Sequence, residues 1–175
     1  MKFTNLFFSA FVLLTLAACS KDEPETISVN TSDLVGTWNL VSLECNDGTT
    51  VSEAFGVKST ATFITTGKDY NAKATFSSNP NKYLSQGTYT SITKTTTSGQ
   101  TETEETPFED FAFTGTWKVE GNKLIVSNTG EPDQIAEITK FGAKSLEYKT
   151  VINEVVDFAG FKVTVKGTYI TKMSR

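Results

Sequence analysis

The sequence predicts an all-β protein: an antiparallel meander of about eight or nine strands, behind an N-terminal signal-peptide helix and a flexible linker. Three observations carry this. Past residue 18 the chain holds 27 threonines but only six leucines among 157 residues, a balance that suits pleated surfaces better than helices. Apolar and polar residues alternate along several segments, the period of a half-buried strand. The twelve glycines recur every 6 to 20 residues and punctuate the chain into short strands.

Residues 1–18 read as a targeting leader. Lys2 supplies a positive start, and Leu6 to Ala18 is apolar apart from Ser9 and Thr15. That run is shorter than the roughly 20 residues a membrane-crossing helix needs; its order matches a secretory signal peptide. It closes on Leu16-Ala17-Ala18-Cys19, which resembles the lipobox of bacterial lipoproteins. The resemblance implies cleavage before Cys19, then lipid on its thiol and a palmitate-type acyl chain on its new amino group. Two or more chains hold a protein stably on a membrane. The flank Ser20-Lys21-Asp22-Glu23 is similar to tags that send Gram-negative lipoproteins to the outer membrane and the cell surface. Residues 19–32 are therefore expected to be a lipidated cysteine and a flexible linker, and 33–175 a single domain.

Within the domain, Tyr70, Ala72, Ala74 and Phe76 share one strand face, opposite Asn71, Lys73 and Thr75. Phe111, Phe113, Gly115, Trp117 and Val119 do the same over 111–119, and Phe161, Val163, Val165, Gly167, Tyr169 and Met173 over 161–173. Less regular strands are expected near 34–44, 58–65, 82–93, 122–127, 134–140 and 144–152. Short glycine-bearing stretches at 65–69, 120–122 and 141–145 suit tight turns. Sequential hairpins with one apolar face bury it by curling into a barrel or folding into a sandwich. Residues 93–106 have no apolar side chain and read either as a hairpin arm turning at Ser98-Gly99 or as a disordered loop. The acids Glu102, Glu104, Glu105, Glu109 and Asp110 lack the ligand spacing of a calcium loop and read as a solvated face.

Composition narrows the chemistry. The chain has no histidine, which removes the usual Ser-His-Asp and Cys-His nucleophiles and histidine zinc sites. Fifteen basic against 20 acidic residues after residue 18, with Arg175 the one arginine, give no nucleic-acid footprint. With Cys19 lipidated, Cys45 has no cysteine to pair with and reads as a small, half-buried strand residue. No catalytic set, metal site or cofactor is expected.

Asp33-Leu34-Val35-Gly36-Thr37-Trp38 opens the first strand, and Gly36-Thr37-Trp38 matches the G-x-W that begins lipocalins and their calycin relatives. Gly-Thr-aromatic recurs at 87–89, 115–117 and 167–169. With the lipobox and linker, the domain resembles bacterial lipocalin-like domain lipoproteins. The resemblance implies a lipocalin-like barrel whose floor Trp38 plugs. Lipocalins stack an arginine over that tryptophan; with Arg175 at the last position, a lysine such as Lys172 is expected to substitute, or the contact to be absent. The fatty-acid clamp of related barrels, an interior arginine with a tyrosine, has no arginine to use here.

Two non-enzymatic functions are expected. In the first, the lumen holds a small hydrophobic ligand lined by Trp38, Tyr70, Phe76, Tyr89, Trp117, Tyr148 and Tyr169. In the second, those aromatics fill the barrel and its outer surface or the 93–106 arm meets a protein or glycan partner. Lumen volume separates the two.

Overall fold

The computed structural model describes residues 27–175. The leader and the lipidation site Cys19 lie outside the described residues. A single helical turn, α1 (Thr31–Leu34), is capped by the Asn30 side chain, which accepts from the Ser32 amide at 3.2 Å. Eight strands follow: β1 (Gly36–Ala54), β2 (Val57–Ser77), β3 (Lys82–Thr97), β4 (Gln100–Glu120), β5 (Lys123–Ser127), β6 (Gln134–Gly142), β7 (Ser145–Phe158) and β8 (Phe161–Ser174). Each pairs antiparallel with the next, and β8 returns to β1, closing a barrel.

The closure is uneven. β5 has five residues and β6 nine, against 21 in β4 and 14 in β7. β4 pairs with β5 only over Thr116–Glu120, and β7 pairs with β6 only over Ser145–Lys149. Beyond those points β4 (100–115) and β7 (150–158) each have one edge without a partner strand among the described residues. The lower part of the molecule is thus a closed ring. The upper part is a curved sheet in the order β7-β8-β1-β2-β3-β4, open on the side between β4 and β7.

Three long hairpins form the upper rim, turning at Phe55-Gly56, Ser98-Gly99 and Ala159-Gly160. Both turn residues are left-handed in each, with φ of 50° and 81°, 51° and 82°, and 50° and 83°. This geometry matches the right-handed twist of the flanking strands. The segment 93–106 is therefore an ordered hairpin arm, with Thr97 paired to Gln100 across the turn. The turns at 120–122 and 141–145 are present as expected. The turn expected at 65–69 is not. Residues 58–65 and 70–76 belong to one strand, β2, and the glycine signal there marks a bulge. The register slips between Lys68 and Asn71, with Asp69 at φ 54°, so Gly67 and Tyr70 sit on the same face and the tyrosine ring covers the glycine. This is what a glycine inside a strand signals when a ring needs to lie flat on the backbone.

Two side chains fill gaps that register shifts leave in the ladders. The Tyr70 hydroxyl accepts from the Leu43 amide at 2.9 Å where β1 slips against β2. The Asp47 carboxylate accepts from the Thr168 amide at 2.7 Å where β1 slips against β8, and that bond holds its carboxyl below the usual range. Cys45, beside this bulge, is fully buried, and burial pushes its thiol up.

The core sits at the floor. Leu34, Trp38, Phe76, Trp117, Leu124, Ile138 and Leu146 are buried together, and Ile27 and Val29, in the segment read as linker, pack against them. Burying side chains of this size stabilises by roughly 1.5–3 kcal/mol each.

Candidate functional site

The aromatic residues expected to line a ligand site divide into two groups by height. Trp38, Phe76 and Trp117 belong to the packed floor. Trp38 is wholly buried; its Nε1 donates to the Leu34 carbonyl at 2.8 Å, and its ring lies 6.3 Å from that of Phe141. Trp117 donates from Nε1 to the Ser77 carbonyl at 2.9 Å and meets Phe76 edge-on at 5.5 Å. Both indoles are satisfied and surrounded, as buried tryptophans usually are.

The floor also has its arginine. Arg175 lies over the Trp38 ring at 4.3 Å, donating from Nε to the Ala143 carbonyl at 2.8 Å and from Nη1 to the Val35 carbonyl at 3.1 Å. The expectation of a substituting lysine is corrected. β8 runs to the floor, pairing Ser174 with Asn39, so the residue after it lands beside Gly36 and Trp38. Lys172 points outward, 3.9 Å from Glu44. Gly36, at φ 130°, leaves space that a Cβ would share with the guanidinium.

Above the floor, Tyr70, Tyr89, Tyr148 and Tyr169 do converge. Tyr148 is half-buried against the core, and desolvation raises its phenol well above the ordinary range. Tyr83 is raised by burial too. Tyr89 is raised first by burial and then by Tyr169 and Tyr70 nearby. A cavity of about 170 Å³ lies beside this group, lined by Leu40, Leu43, Tyr83, Tyr89, Phe111 and Tyr148; Tyr70 and Tyr169 do not line it. That is below the roughly 300–1,000 Å³ of ligand pockets. Larger clefts, two of them about 760 and 790 Å³, lie on the outside. One runs past the ends of β2, β3 and β4; the other lies between residues 27–31 and β6.

Above the cavity lies the concave face of the six-stranded sheet. Rings continue along this face: Tyr70 and Tyr89 at 6.4 Å, Tyr89 and Phe108 stacked at 4.8 Å and 10°, and Phe111 edge-on to Tyr89 at 5.8 Å. Sequence alternation identified Phe111 and Phe113 but missed Phe108, three residues earlier. A bulge at Glu109-Asp110, with Asp110 at φ 48°, brings Phe108 and Phe111 to the same side. Tyr83 and Phe63 were also missed, because irregular strands hide their faces. The Phe63 ring covers Gly48, opposite it in β1, and approaches Gly167.

The small residues on the inner faces do not leave open space. A Cβ on Gly87 would collide with the Asn71 and Ala72 backbone, and one on Gly115 with the Ser127 carbonyl. The glycines let strands approach closely rather than enlarge the lumen. The five acids at 102–110 do not converge; Glu105 pairs outward with Lys68 at 2.6 Å, and no metal-binding cluster is present among the described residues.

Residues 34–148 match the model of the lipocalin-like domain. The chain belongs to the lipocalin-like domain family. No curated protein and no solved structure matches it. In this lipocalin-like domain the match covers the floor tryptophan, Tyr70, Tyr89 and Tyr148, and the β3–β4 arm, but not Tyr169. Arg175, the upper part of β7 and all of β8 lie beyond it, yet they complete the ring.

Proposed function

We propose that this chain is a lipid-anchored lipocalin-like protein of the outer membrane that binds a small, mostly apolar ligand on the upper, open part of its barrel. The observation that carries the reading is the division of the lumen. The floor is packed solid, whereas Tyr83, Tyr89 and Tyr148 line a small cavity beside Tyr70, and above it a concave face carries exposed apolar side chains on which most of a ligand would lie. The tyrosine hydroxyls supply a few polar handles in an apolar setting, the usual make-up of a ligand site. The sequence has no histidine for the common nucleophilic and zinc chemistries, and the reading is non-enzymatic. Anchoring rests on Leu16-Ala17-Ala18-Cys19, with the short segment to Ile27 as the tether.

Native mass spectrometry of the chain from residue 20 onward tests the binding. A reproducible added mass that denaturation releases supports it. The bare polypeptide mass, after incubation with sterols, long-chain alcohols and haem, would sink it. The unpaired edges of β4 and β7 favour a second reading, an interaction module that adds a partner's strand at one edge. Pull-down by an extended peptide with no small-molecule binding would favour that reading.

A further inference from the structure

The concave face above the tyrosines has two unlike walls. Strand pairing puts Phe158, Phe161, Ala54 and Val57 in one row across β7, β8, β1 and β2. Val156 and Val163 lie in the row below, with Ser52 and Ser59. All point the same way as Met173, Leu146 and Cys45 deeper down the same strands. Phe158 is 76 % exposed, Val57 72 % and Val156 61 %, so this wall is apolar and uncovered. The opposite wall, on β3 and β4, is polar. Thr93 meets the buried Thr65 at 3.1 Å, which fixes its side chain as inward. Glu104 is paired with Thr93, and Glu102 with Thr95, so both glutamates face the trough. Glu154, paired with Val165 on β8, faces it too.

The inner positions of the eight strands carry these three carboxylates and no lysine or arginine. Every strand lysine faces outward. Neither Glu102 nor Glu104 has an ion-pair partner among the described residues, whereas their outward neighbour Glu105 has Lys68. An anionic amphiphile would meet only like charge here. An apolar body with a cationic head meets complementary groups at both ends, and charge complementarity of this kind selects among partners of similar shape.

We infer that the ligand of the trough is a cationic amphiphile. Its apolar body lies on the β7-β8-β1-β2 wall and its ammonium group faces Glu102 and Glu104 on β4. This deepens the ligand-binding reading above and rests on it.

The test compares three probes with one body: 3-phenylpropylamine, 3-phenylpropanol and 3-phenylpropanoate. Each is titrated by ligand-observed NMR against the full-length chain in zwitterionic nanodiscs, with empty nanodiscs as the blank. The amine is expected to bind about threefold to fivefold more tightly than the alcohol, since exposed charge pairs contribute modestly, and the carboxylate most weakly. Raising the salt from about 0.05 to 0.5 M should erase most of the amine's advantage. Glu102→Gln/Glu104→Gln should bring amine and alcohol within about twofold. Glu105→Gln, on the outer face, should leave the advantage intact; all three glutamates are exposed, so these variants keep the fold. If the alcohol or carboxylate binds as well as the amine, the charge assignment is overturned and the ligand site stands. Binding of none of the three overturns both.

Discussion

Arg175 gives the sharpest test of how the floor is held. Replacing it with alanine removes the cation over Trp38 and the donors to the Val35 and Ala143 carbonyls. An exposed cation–π contact contributes about 0.5–1 kcal/mol. Each hydrogen bond at this half-open end contributes about 0.5–1 kcal/mol net. The expected loss is about 1.5–3 kcal/mol, or a Tm lower by roughly 4–10 °C for a domain of this size. Urea unfolding followed by far-UV circular dichroism should show a lower midpoint at unchanged m, the mark of lost stability rather than altered compactness. Arg175→Lys should recover about half, because an ammonium keeps charge over the ring but cannot span both carbonyls as a planar guanidinium does. Lys172→Ala, on the outer face, should cost less than about 0.5 kcal/mol. If Arg175→Ala and Lys172→Ala unfolded at the same urea concentration as the parent, the clasp would contribute nothing and the floor would rest on apolar packing alone.

Gly87→Ala is expected to destabilise by about 2 kcal/mol or more, because residue 87 sits at φ 128° and a Cβ there meets the Asn71 and Ala72 backbone; thermal unfolding reads this directly. Alkaline pH should weaken the fold. Tyr148, Tyr83 and Tyr89 have phenols raised in the folded state, chiefly by burial, so above about pH 10 the unfolded chain ionises first and stability falls as pH rises. Tyr148→Phe should flatten that slope by up to about 1.4 kcal/mol per pH unit, measured by urea titration between pH 8 and 11. Cys19→Ala should move the protein from the membrane to the soluble fraction after cell lysis; its retention in the membrane would refute the lipid anchor.

Much of the fold could be read from the sequence because it rests on local patterns. Strict alternation over 70–76, 111–119 and 161–173 assigned inward faces that the buried Ala72, Ala74, Phe76, Trp117 and Met173 bear out. Ser98-Gly99 could be named as one possible turn from its residue types alone. What escaped depends on distant parts of the chain. A bulge shifts the face of every residue past it, which hid Phe108 and turned the Gly67 signal into a false turn. Arg175 lay beside Trp38 only because β8 runs the full way to the floor. The open side followed from neighbours of unequal length, β5 against β4 and β6 against β7, and no local period encodes that.

The open side raises a question that the acids on β4 answer in two ways. An unpaired strand edge invites pairing with another chain unless charge blocks it. The β4 edge carries Glu102, Glu104, Glu105, Glu109 and Asp110, while 150–158 of β7 has only Glu154 and Asp157 among valines, an isoleucine and a phenylalanine. The glutamates of β4 therefore guard an edge and also set the charge of the trough, and neighbours on opposite faces separate the two roles. Glu104→Gln and Glu105→Gln each remove one charge from the edge, but only the first changes the inner wall. Both should raise self-association in analytical ultracentrifugation at high concentration by a similar small amount, and only Glu104→Gln should weaken the amine probe. If Glu105→Gln weakened the amine as much, the selection would come from the field of the whole edge, and the inward placement of Glu104 would have no part in it.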